Sequence, residues 1–103
     1  MNEVGKILEE RNKSHGDFDI QSELTQTLKN IFIEYSVRTN SEEYLDDAMR
    51  EGMDMILMKI SRIGSGNPTH IDHWDDIAGY ATLVANHLRK HQERIKHSNV
   101  LSD

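Results

Sequence analysis

The 103-residue sequence contains no cysteine and only one proline, and aromatic residues make up just 6% of it. The lack of cysteine excludes a disulfide framework, a thiolate metal site and a cysteine nucleophile. No apolar run approaches the ~20 residues that span a bilayer. The N-terminus also lacks the basic-then-apolar pattern of a signal peptide. These absences predict a soluble, cytoplasmic protein with no membrane partner.

Basic residues are also in short supply, and the formal net charge is −6. Binding to nucleic acid requires a basic surface that neutralises phosphates, so no nucleic-acid partner is expected. The length suits one domain, covering residues 1–103. Only 36% of the residues are hydrophobic, which allows a thin core in a single chain. A core shared between subunits would relieve this shortage, and we therefore expect a homo-oligomer.

Apolar residues recur at helical spacing in four segments, and no β-branched run has the two-residue period of a strand. In the second segment, Asp19 is a candidate N-cap, and in the third segment Ser41 is followed by two acids typical of a first turn. The sequence therefore predicts an all-α fold of four helices. Their expected limits are approximately residues 2–12, 20–37, 42–63 and 71–97.

The third and fourth helices are expected to form the centre of this four-helix arrangement. The stretch from Met53 to Ile60 is apolar nearly all round, which is typical of a helix surrounded by protein. The glycine- and proline-containing segment 64–68 then stops the third helix. The second helix has an apolar stripe at steps of three and four residues, formed by Ile20, Leu24, Leu28, Ile31 and Tyr35.

Acidic residues cluster on the two central helices. Asp47, Glu51 and Asp54 follow one another at i, i+4 and i+7, and Asp72 and Asp76 share a face of the next helix. Carboxylates gathered in this way favour Mg²⁺, which takes oxygen ligands and bridges to phosphates. The alternative is that first-turn acids stabilise a helix N-terminus and that the remaining acids form a solvated face.

Cationic and aromatic residues lie close to these acids in the sequence. Lys59 and Arg62 end an otherwise apolar helix and could meet a phosphate, or could simply extend to solvent. Trp74 and Tyr80 could stack on a base, and Gly79 inside a helix favours either a ligand or close helix packing. Possible metal-binding or acid–base groups are His15, His70 and His73, with His73 favoured as a hydrogen-bonding residue.

Two stretches resemble a family of small proteins encoded by phages and prophages. These are the run from Lys59 through Gly66-Asn67-Pro68 to Asp72-His73-Trp74-Asp75-Asp76-Ile77-Ala78-Gly79-Tyr80-Ala81, and the N-terminal Glu10-Arg11 with His15-Gly16-Asp17-Phe18. The resemblance covers most of the chain. It implies a phage protein acting in the host cytoplasm and assigns no activity.

The sequence is more distantly similar to the MazG-like all-α nucleoside triphosphate pyrophosphohydrolases. Those enzymes hold Mg²⁺ with an E-x-x-E motif on one helix and an E-x-x-D motif on the next. The matching elements here run from Glu51 to Asp54 and from Asp72 to Asp75, with Asp replacing Glu in places. In the phage family Asp76 is the fixed acid, so the second element becomes Asp72 and Asp76.

The leading hypothesis from the resemblance is a phage-encoded, Mg²⁺-dependent (deoxy)nucleoside triphosphate pyrophosphohydrolase. Glu51 and Asp54 would be catalytic, and Mg²⁺ would be held by Glu51, Asp54, Asp72 and Asp76. The alternative is a non-catalytic anti-defence protein that binds and sequesters a nucleotide immune signal. The expected nucleotide-binding residues are His15, Lys59, Arg62, Asn67, His73, Trp74 and Tyr80.

Overall fold

The computed structural model describes the backbone of residues 3–102 and the side chains of residues 3–93. Over these residues the chain is all-α, with four helices, a short 3₁₀ helix and no strand. The helices are α1 (Glu3–His15), α2 (Phe18–Arg38), α3 (Asp47–Ser65) and α4 (Ile71–Ser102). The predicted fold class is therefore confirmed, and no helix in the described range is long and apolar enough to cross a membrane.

Two helix starts differ from the sequence-based expectation. The N-cap of α2 is Asp17, whose carboxylate accepts hydrogen bonds from the backbone N–H groups of Asp19 and Ile20, so the prediction of Asp19 was wrong. Ser41 begins the 3₁₀ helix Ser41–Tyr44 instead of α3. After an extended residue, Asp46 caps α3 by accepting from the N–H of Met49. Asp17 and Asp46 satisfy backbone donors that a helix start would otherwise leave unpaired.

Helix α3 lies at the centre of the fold, because it contacts α1, α2 and α4. Its contact with α2 is polar: the buried Gln21 and Thr25 hydrogen-bond to the fully buried hydroxyl of Ser61. These groups satisfy one another, so their burial avoids the cost of unpaired polar atoms. The contact with α4 is the more extensive of the two, as expected for the central helix pair.

The chain buries very little apolar surface on its own. Among the described side chains, no hydrophobic residue is fully buried, while Ile20, Ile31 and Tyr35 of the α2 stripe are 59%, 49% and 56% exposed. The stretch from Met53 to Ile60, expected to be surrounded by protein, is half-buried to exposed. That expectation was wrong for the single chain, because only α2 and α4 flank this part of α3.

Candidate functional site

The candidate site lies where the end of α1, the end of α3 and the start of α4 meet. Gly16 follows α1 with a φ of 83°, and a Cβ at this position would overlap the backbone of Ser65. Gly66 packs just as closely on the backbone of His15, so only glycine fits on either side of this contact. The carbonyl of Ser14 also accepts a hydrogen bond from the N–H of Asn67 at 3.0 Å.

Three histidine rings from these elements contact one another. The ring centroids of His70 and His73 are 4.6 Å apart, and that of His15 lies 4.9 Å from His73 and 6.2 Å from His70. The ring of His73 is only 1% exposed. Its Nε2 lies 2.7 Å from the carbonyl oxygen of Ser14. A carbonyl can only accept, so Nε2 carries the hydrogen and His73 ties α4 to α1.

The surroundings of His15 disfavour a positive charge on its ring. Burial, followed by the charge of Arg62, lowers the pKa of His15 from 6.5 to about 4. Smaller contributions in the same direction come from His73, Arg11 and Lys59. His15 is therefore neutral at pH 7, first because its ring is desolvated and second because Arg62, Arg11 and Lys59 are basic neighbours.

Arg62 is the least satisfied polar group at this site. Its Nε is buried and has no hydrogen-bond partner among the described residues. Burial and the charge of Arg11 lower the pKa of Arg62, while Asp76 acts in the opposite direction. An arginine nevertheless stays protonated in proteins, so a buried donor on a charged group is left without an acceptor.

Among the described lysine and arginine side chains at this site, only Lys59 forms an ion pair with a carboxylate. Its Nζ lies 2.9 Å from an Asp76 carboxylate oxygen, and the Lys59 side chain is only 12% exposed. The hydrogen bond from Lys59 holds the pKa of Asp76 below its usual value. One carboxylate therefore faces several basic side chains. We call these residues the basic cluster, which consists of Arg11, His15, Lys59, Arg62, His70 and His73.

The loop between α3 and α4 is held by its own hydrogen bonds. The side-chain oxygen of Asn67 accepts from the backbone N–H and the hydroxyl of Thr69. The indole N–H of Trp74 donates to the carbonyl of Pro68 at 2.7 Å, while the Trp74 side chain stays 54% exposed. The expected nucleotide-binding residues Asn67 and Trp74 therefore shape the loop beside the basic cluster, and the Trp74 ring remains accessible.

An open groove of about 600 Å³ runs along α4 beside the basic cluster. Asp76 connects the groove with the basic cluster, because it lines the groove and pairs with Lys59. A Cβ added to Gly79 would have no neighbour within 4 Å, so the helix backbone is open to the groove at this point. The groove is lined by Asp75, Asp76, Ala78, Gly79, Tyr80, Thr82 and Leu83.

The four acids expected to hold Mg²⁺ occupy different surroundings within one chain. A carboxylate oxygen of Asp54 lies 3.9 Å from Nζ of Lys29 on α2. A carboxylate oxygen of Asp72 lies 3.8 Å from Nε2 of His70, and Asp76 pairs with Lys59. Glu51 lines a separate cavity that shares Tyr80 and Leu83 with the groove. Over the described range, no three histidine or acidic residues are arranged to share a metal ion. The magnesium site expected at these four acids therefore stays a prediction.

Most residues of the basic cluster were predicted from the sequence as site residues. Arg11 and Ser14 were not. Arg11 lies one helical turn before His15, and that i, i+4 spacing was the available signal. The pairing of Ser14 with His73 spans 59 residues, and no local pattern predicts a contact of that separation.

Residues 1–88 match the family model of DUF6378, a domain of unknown function. The chain therefore belongs to the DUF6378 family. No curated protein matches the chain. No solved structure matches it either.

Proposed function

We propose that this protein binds a nucleotide, with the phosphates at the basic cluster and the base in the groove of α4. The observation that carries the proposal is the buried, unpaired Nε of Arg62. An anionic oxygen that reached this donor would satisfy it and would offset the positive charges of Arg62, Arg11 and Lys59 around His15. Phosphate oxygens are strong acceptors whose charge matches that of the guanidinium group.

The groove offers a suitable place for the rest of the nucleotide. Its open space of about 600 Å³ has room for a base, and the described residues that line it all lie on α4. A flat base could lie on the open backbone at Gly79, with Tyr80 and Leu83 at its side. Asp76 joins the groove to Lys59, so the base and the phosphates of one ligand could occupy the two regions together.

Binding without turnover is the form of the proposal that the geometry favours. Asp54 and Asp76 each face a lysine, and the four candidate acids do not gather around one point in a single chain. A phosphate site built from arginine, lysine and histidine requires no metal. In this form the protein would sequester a nucleotide signal of host immunity, which is the anti-defence alternative considered for a phage-encoded protein.

The Mg²⁺-dependent, MazG-like pyrophosphohydrolase remains the second candidate. It is favoured by the position of Glu51, whose cavity shares Tyr80 and Leu83 with the groove that Asp76 lines. Because the four acids have different neighbours in the described part of one chain, we derive no catalytic step from them.

A panel of nucleotides, with and without Mg²⁺, separates the two candidates. Thermal stabilisation reports binding, because a ligand that prefers the folded state raises the melting temperature. Product analysis on the same samples reports hydrolysis. Sequestration predicts stabilisation in EDTA with the nucleotide recovered intact. Mg²⁺-dependent release of pyrophosphate would establish the enzyme instead, and a panel with no binding and no hydrolysis would reject both.

A further inference from the structure

Most of the apolar stripe of helix α2 lies beside the face that packs on α3, although Leu24 contacts Gly64 of α3. The residues of α2 that are buried against α3 are polar: Gln21 and Thr25 bond to Ser61. Within the stripe, Leu24 and Leu28 are half-buried, while Ile20, Ile31 and Tyr35 are largely exposed. The α2 stripe therefore remains incompletely covered in the single chain.

The exposed apolar surface approaches that of a subunit interface. Val4, Ile7 and Leu8 of α1 are 63%, 63% and 54% exposed, in addition to the three exposed residues of the α2 stripe. Full burial of such a side chain is worth ~1.5–3 kcal/mol, or ~60–120 Å² at 25 cal/mol/Å². Because each of the six is about half to two-thirds exposed, together they offer roughly 200–400 Å² of apolar surface per chain. A standard interface of ~800 Å² per partner contains about 450 Å² of apolar surface.

We propose that the α2 stripe packs antiparallel against the same stripe of a second copy of this chain. The described part of one chain buries no hydrophobic side chain fully, and a partner that is always present with the chain would supply the missing burial. A second copy meets that condition. A two-fold axis near Leu28 would place Ile20 against the partner's Tyr35 and Leu24 against the partner's Ile31, so that like surfaces match.

The charges along α2 select the antiparallel direction. Asp17, Asp19 and Glu23 lie at its beginning, and Arg38 lies in its last turn. With Ile20 opposite the partner's Tyr35, Arg38 lies opposite the partner's Asp17, and the helix dipoles oppose each other. A parallel pair would bring the acidic ends of both helices together. This inference does not depend on the proposed nucleotide site, which lies at the junction of α1, α3 and α4.

A matched pair of variants tests the interface. Ile31 and Ile33 are the same residue type on the same helix, 49% and 55% exposed, but they point to opposite sides of α2. At tens of micromolar, light scattering should give a dimer mass for the wild type and for Ile33→Lys, and half that mass for Ile31→Lys. A monomeric wild type, or dissociation caused by Ile33→Lys alone, would overturn the proposal.

Single-cysteine variants test the direction without requiring a folded monomer. The chain has no cysteine of its own, so each variant has one thiol. Under oxidation Leu28→Cys should form a disulfide-linked dimer, because residue 28 lies near the proposed axis. Ile20→Cys should not, because 15 residues separate it from position 35 and the two thiols would be ~22 Å apart. Cross-linking through residue 20 in place of residue 28 would overturn the antiparallel arrangement.

Discussion

At the scale of single residues, the basic cluster is unusual because its positive groups outnumber the carboxylates beside them. Arg62 has a buried donor without an acceptor. Among the described ion pairs, Asp76 pairs with Lys59 alone. In a protein with a formal net charge of −6, such a local excess is not explained by composition. An anionic ligand would remove this imbalance, which is why the cluster is central to the proposed function.

His15 should make the fold sensitive to pH between about 6.5 and 4. Its folded pKa of about 4 lies below the value of 6.5 expected when unfolded, so the unfolded chain binds more protons in this window. Stability should therefore fall as the pH drops from 6.5 to 4. Thermal melts of the wild type and His15→Gln across this range test the effect. The variant should show a flatter pH dependence, and two parallel curves would contradict the assigned role of His15.

Asp76→Asn should distinguish an anion site from a metal site. Asp76 is the carboxylate that neutralises Lys59, and the hydrogen bond from Lys59 holds its pKa low. If phosphate binds the basic cluster directly, removing this charge leaves Lys59 free and should preserve or strengthen nucleotide binding in EDTA. If Asp76 is a metal ligand, the same change should weaken Mg²⁺-dependent binding or turnover. Calorimetric titration with and without Mg²⁺ decides between the two.

At the scale of helices and turns, replacing each of two glycines by alanine should change the stability of the fold in opposite directions. Gly16 has a positive φ and faces the backbone of Ser65, so Gly16→Ala should destabilise the fold by ~1–3 kcal/mol. Gly79 is helical with open space above it, so Gly79→Ala should stabilise the fold by up to ~1 kcal/mol. Denaturant melts of both variants test these signs.

The Gly79 variant also tests the position of the base. A methyl group at residue 79 projects into the groove, so Gly79→Ala should weaken nucleotide binding although it stabilises the free protein. If the variant is more stable but binds the nucleotide with unchanged affinity, the base does not lie in this part of the groove.

The helices could be predicted from the sequence because their signals are local. Apolar periodicity and the turn residues around Gly16 and Pro68 located all four helices. The start of α3 was misplaced, because Ser41 with the following acids has the pattern of an N-cap. The left-handed φ of 60° at Asn40 and the extended Leu45 instead separate a 3₁₀ helix from α3.

The candidate site could be predicted only in part. Lys59, Arg62 and Trp74 were found because they lie in one short stretch of sequence, whereas the packing of α1 on the α3–α4 loop depends on distant backbone contacts. The acids on α3 were expected to converge with those on α4. The spacing within each helix was read correctly, but it does not determine the distance between helices.

At the scale of the whole molecule, no described apolar side chain is fully buried, and the proposed dimer would make association part of folding. The melting temperature should therefore rise with protein concentration, because dilution favours dissociation into a chain with little core. Melts over a hundredfold range of concentration measure this effect. A midpoint independent of concentration, together with a monomeric mass, would contradict the dimer.

The central claim is that Arg62 provides the anion site, and calorimetric titration in EDTA tests it most directly. Nucleotides identified by the panel should bind the wild type, and Arg62→Ala should lose about tenfold or more in affinity, as expected when a charged hydrogen bond of ~1.5–3 kcal/mol is removed. Arg89→Ala is the matched control, because Arg89 is exposed and donates to Asn86 within α4, outside the basic cluster and α2. The account predicts unchanged affinity for this control. Equal affinity of the wild type and Arg62→Ala would contradict it.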